Sequence, residues 1–76
     1  MERFYFDLYN TENQKDEEGQ LFPSRERAGV EALRILHDVA RDEMPEGEHR
    51  QITVKMLNAN REQIFEASLT MASLWS

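Results

Sequence analysis

The side chains that could do chemistry are few in kind. The chain has 76 residues, two histidines and no cysteine, with fifteen Asp and Glu against nine Lys and Arg. Without cysteine there is no disulfide, no thiolate nucleophile and no cysteine-ligated zinc. His37 and His49 stand alone, with no carboxylate or second histidine at a metal-ligand spacing. Ser24 reads as a helix cap, and Ser68, Ser73 and Ser76 lack the adjacent base that activates a nucleophile. No Gly-rich loop is present to cradle a phosphate. Acids cluster twice. Asn10 to Glu18 carries Glu12, Asp16, Glu17 and Glu18 around Lys15. The calcium-loop alternation of Asp or Asn closed by Gly is absent, so a solvated, mobile loop is expected there. Asp38 to Glu48 holds five acids and one base, Arg41. Within it Asp42, Glu43, Glu46 and Glu48 form a candidate acidic patch, read either as a solvated corner or as a docking point for a basic partner. From these residues the chain is expected to have no catalytic, cofactor-binding or metal-binding residue.

The elements that position these groups follow from periodicity. Ser24 to Glu43 is the one long run with helical period. Ser24 is placed to cap it, and Pro23 holds the incoming chain extended. At 100° per residue, Gly29, Ala32, Leu33, Leu36, Val39 and Ala40 fall on the face to be buried. Close approach of the helix to a sheet would account for Gly29 there. The other face pairs Arg27 with Glu31 and Arg34 with Asp38 at i, i+4. Asp42 and Glu43 end the helix against its own dipole.

Strands flank the helix. Arg3 to Tyr9 alternates, with Phe4, Phe6 and Leu8 toward the helix and Tyr5, Asp7 and Tyr9 away from it. Gln20 to Phe22 is a short second strand after the turn at Gly19. Arg50 to Leu57 and Gln63 to Leu69 form a hairpin, with Asn58 to Arg61 as its turn and asparagine suited to the left-handed position. Phe65, Ala67 and Leu69 take one face; Ile64, Glu66 and Ser68 take the other. The expected core is Phe4, Phe6, Leu33, Leu36, Ile52, Val54 and Phe65. The whole reads as one α+β domain over residues 1–76, β-β-α-β-β, with a small antiparallel sheet covered on one face by the helix.

RFYFDLYN, then DEEGQLFPS, a helix containing EALR, and ITV turning into IFEASL together resemble a family of short bacterial proteins described only as a domain of unknown function. The resemblance runs from Arg3 to about Leu69. It implies the β-β-α-β-β unit and a bacterial source, and brings no catalytic residue with it. The family's hairpin turn usually carries Gly where this chain has Asn-Ala-Asn-Arg, and Asn60 is expected to stand in.

Composition narrows the function. A net charge of −6 opposes direct binding of duplex nucleic acid, whose affinity comes largely from phosphate neutralisation. No apolar run approaches the ~20 residues of a membrane span, and the opening MERFYFDLYN reads as a strand, so no membrane partner is expected and a cytoplasmic location is. The expected role is a small non-catalytic protein-interaction or regulatory module that associates with a protein partner or with itself as a homodimer. Its candidate surface is Tyr5, Tyr9, Leu57 and Ile64 on the open sheet face, with Leu74 and Trp75 in the tail. The alternative is an antitoxin-like regulator that binds a basic partner and reaches nucleic acid only indirectly.

Overall fold

Alternation and helical period each produce the element they call for. The computed structural model describes residues 1–10, 13–42 and 50–71. The order is β1 (Glu2–Tyr9), β2 (Asn13–Gln14), β3 (Gln20–Phe22), α1 (Arg25–Asp42), β4 (Arg50–Leu57) and β5 (Gln63–Met71). All strand pairs are antiparallel. The path is β2-β1-β4-β5, and β3 also pairs with β1. β2 takes Leu8 and Tyr9, β3 takes Glu2 to Phe4, and β4 runs along Tyr5 to Tyr9 on the opposite side of β1. The α+β architecture is as expected, apart from β2, whose two polar residues give no alternation to read.

Ser24 caps α1 with both its oxygens. Its hydroxyl accepts from the Arg27 N–H at 3.2 Å and its carbonyl from the Ala28 N–H at 3.2 Å. The buried stripe is Ala28, Ala32, Leu36 and Ala40, flanked by Ile35 and Val39. These side chains meet Phe4, Phe6, Ile52, Val54 and Met56. Phe22 closes that end of the core, its ring edge-on to Phe6 at 5.8 Å and tilted to Phe4 at 6.2 Å.

The stripe is rotated from the one expected. Leu33 lies outside the core and is 42% exposed. Three alanines, not Gly29, let the helix lie close to the sheet; a Cβ at Gly29 would meet nothing within 4 Å. Phe65 borders the core without being fully buried, and Met56 takes a central place in it. On the outer face Glu31 turns to Arg34, which donates from Nε at 2.8 Å and also reaches Asp38 at 2.6 Å; Arg41 reaches the other Asp38 oxygen at 3.0 Å.

Candidate functional site

The segment after β1 is held by one carboxylate. Asp16 accepts N–H groups from Phe6 at 3.2 Å, Glu18 at 3.2 Å and Gly19 at 3.0 Å. Its own N–H donates to the Asp7 carboxylate at 3.0 Å. Gly19 sits at φ +72°, where a Cβ would stand 2.8 Å from the Phe4 carbonyl oxygen, so only glycine fits. Arg3 donates to the Glu18 carbonyl at 2.6 Å. The D-E-E-G run is therefore a knot that fastens the chain to β1. The segment is solvent-exposed at Lys15, Glu17 and Glu18, as expected from composition, but it is anchored through Asp16. The signal for it was an Asp three residues before a Gly, the spacing at which a carboxylate reaches backbone N–H groups of its own turn.

The knot also blunts one edge of the sheet, whose border is reduced to the two short strands β2 and β3. β2 covers Leu8 and Tyr9, β3 covers Glu2 to Phe4, and between them the Asp16 carboxylate occupies the Phe6 N–H. The other edge of the sheet is β5. Among the described residues no strand pairs with its outer side.

The sheet face away from the helix is largely occupied by its own contacts. Asp7, expected in the open between two tyrosines, is only 5% exposed. Arg61 lies with its guanidinium carbon 3.8 Å from the centre of the Tyr5 ring and donates to the Asp16 carbonyl at 3.1 Å. Lys55 stands 4.8 Å from the Tyr9 ring centre and 4.0 Å from Glu66. Thr53 and Ser68 share a hydrogen bond of 2.9 Å. Leu57 is half-buried opposite Tyr5.

Ile64 departs from the expected face. The register shifts between Met56 and Leu57, so Leu57 pairs with Gln63, and Ile64 packs against the core on the helix side. The turn departs as well. Asn58 accepts from Asn60 and Glu62 through its side chain, each at 2.9 Å, and its carbonyl accepts from the Arg61 N–H at 2.9 Å. The left-handed residue is Arg61, at φ 66°, not Asn60. Leu74 and Trp75 in the tail, and Glu43, Glu46, Glu48 and His49, lie outside the described residues. Asp42 is exposed at the end of α1, and His37 is exposed on its outer side.

A shallow apolar groove of about 550 Å³ lies between α1 and β5. Gly29, Val30 and Leu33, with Arg25 and Glu26 at one end, form its helix wall, and Met56, Ile64 and Phe65 its sheet wall. Val30 is 65% exposed. The two outer flanks of the helix thus differ. One carries the ion-paired ridge of Glu31, Arg34, Asp38 and Arg41, where the Arg34 guanidinium holds the Glu31 carboxyl below the usual carboxylate range. The other, beside β5, exposes Val30 and Leu33, with Arg25 and Glu26 at its N-terminal end.

Among the described residues no group of three or more His, Cys, Asp or Glu is placed to hold a metal ion. Nor is any described helix long and apolar enough to cross a membrane. The search of curated proteins and the search of solved structures each found no match. A family model does match, over residues 3–70, and its span takes in the Asp16 knot, the helix and the closing hairpin that define this fold. The chain belongs to that family, described as a domain of unknown function (DUF6894).

Proposed function

We propose that this chain is a non-catalytic protein-interaction module whose contact surface is the outer edge of β5 together with the apolar flank of α1. The observation that carries this reading is the asymmetry of the sheet. One edge is broken into the short strands β2 and β3 with the Asp16 carboxylate between them, while the other presents an unbroken nine-residue strand beside exposed Val30 and Leu33. An unpaired edge offers N–H and C=O groups in a row and is a ready template for an added strand. Asp7 and Asp16, linked through the Asp16 N–H, both accept backbone N–H groups, which supports a structural role for them over an acid–base pair.

Photo-crosslinking in the native host tests the reading. A photoreactive residue at Val30 or Leu33 is expected to give protein adducts, and one at Arg34, on the ion-paired ridge, is not. Adducts absent at Val30 and Leu33, or equally strong at Arg34, would overturn it.

A further inference from the structure

We infer that the occupant of this surface is a second copy of the chain, joined by antiparallel pairing of β5 with the same strand of its partner about a two-fold axis at Ala67. The inference rests on the reading of the β5 edge as a contact surface. A two-fold contact must be complementary to itself, and β5 has that property. Its helix-side row is Phe65, Ala67, Leu69, large–small–large. Turned about Ala67, Phe65 of one protomer faces Leu69 of the partner subunit, and the small residues meet at the axis. Ala67 is also the midpoint of Gln63–Met71, and this register pairs Phe65 to Leu69 symmetrically, clear of the irregularity at Ile64.

Charge selects the same register. Glu66 is the one charged side chain of β5. With the axis at Ala67 it stands opposite Ser68 of the partner subunit. Moving the axis one residue toward the start of the strand would set the two glutamates against each other, which is unfavourable. The helices also fit. α1 packs mainly over β4 and β5, and strands lie about 4.8 Å apart, so α1 and its symmetry mate would run roughly 10–14 Å apart on one side of a continuous sheet. Val30 and Leu33 lie on the flank that faces this gap. The acidic and basic side chains of the Glu31–Arg34–Asp38–Arg41 ridge lie on the far flank, away from the contact.

The test uses the full chain, which has no native cysteine to interfere. Sedimentation equilibrium from low to high micromolar concentration should give a dimer. Leu33→Glu, at a position already exposed, should shift it to monomer while leaving the circular dichroism spectrum unchanged. A Glu66→Cys, Ser68→Cys double variant should form a covalent dimer on oxidation, and either single variant far less. A monomer at every concentration would overturn the inference, as would a dimer that ignores Leu33→Glu and gives no disulfide. If Val30 and Leu33 still crosslink in cells to a different protein, the second copy is wrong and the contact surface stands. If they crosslink to nothing, both fail.

Discussion

At the scale of single residues, Asp16 and Arg61 carry the arrangement that composition hides. Asp16 gathers three N–H donors onto one carboxylate, and hydrogen bonds to a charged acceptor are individually stronger than neutral ones. Asp16→Ala is expected to lower stability by about 1.5–3 kcal/mol in urea unfolding, with Asp16→Asn losing less because it keeps an acceptor oxygen. An Asp16→Ala variant as stable as the native chain would show that the knot contributes nothing. Arg61 holds a left-handed conformation that disfavours side chains, and its guanidinium contacts Tyr5 and the Asp16 carbonyl. Arg61→Ala keeps the strain and loses the contacts, whereas Arg61→Gly loses both. The glycine variant should therefore be the more stable of the two by about 1 kcal/mol, checked by paired thermal melts.

At the scale of elements, α1 shows how a helix is docked by its smallest side chains. Ala28, Ala32 and Ala40 bring its backbone to the sheet, and Leu36 supplies the bulk between them. Leu36→Ala is expected to lose about 2–5 kcal/mol, enough to unfold much of a domain of this size. Gly29 points the other way. It costs the helix about 1 kcal/mol relative to alanine, and no close approach repays it. Gly29→Ala should thus raise the melting temperature, and a fall would mean that the groove wall tolerates no added methyl. The hairpin of β4 and β5 adds a device of its own. A one-residue register shift sends Ile64 to the helix side, where it lengthens the apolar groove.

At the scale of the whole molecule, charge and edges divide the surface. The net charge of −6 opposes approach to phosphate. No measurable affinity for duplex DNA is expected at physiological salt, and a fluorescence-anisotropy titration checks it; sub-micromolar binding with steep salt dependence would contradict it. The helix covers one sheet face, stacked cations and paired hydroxyls line part of the other, and the Asp16 knot breaks one edge into two short strands. The longest open edge among the described residues is that of β5, with the helix flank of Val30 and Leu33 beside it.

The sequence by itself determined the elements apart from β2. Phe4 and Phe6 at period two, the capped run from Ser24, and the two alternating rows of the hairpin each state a local geometry, and local geometry repeats along the chain. It also determined what the charge disfavours. The exact buried stripe was decided only in three dimensions, because a 40° rotation of α1 exchanges Leu33 for Ala28 and periodicity alone does not resolve so small an angle. The same holds for Asp16, Arg61 and Ile64. Asp16 reads as one acid among several until Phe6, ten residues earlier, presents its N–H. Arg61 reads as a turn residue until Tyr5 lies beneath it. Ile64 changes sides through a bulge that depends on how β4 and β5 are paired. Which edge of the sheet stays open is likewise a property of the assembled strands, since each of them carries the same row of backbone donors and acceptors before it finds a neighbour.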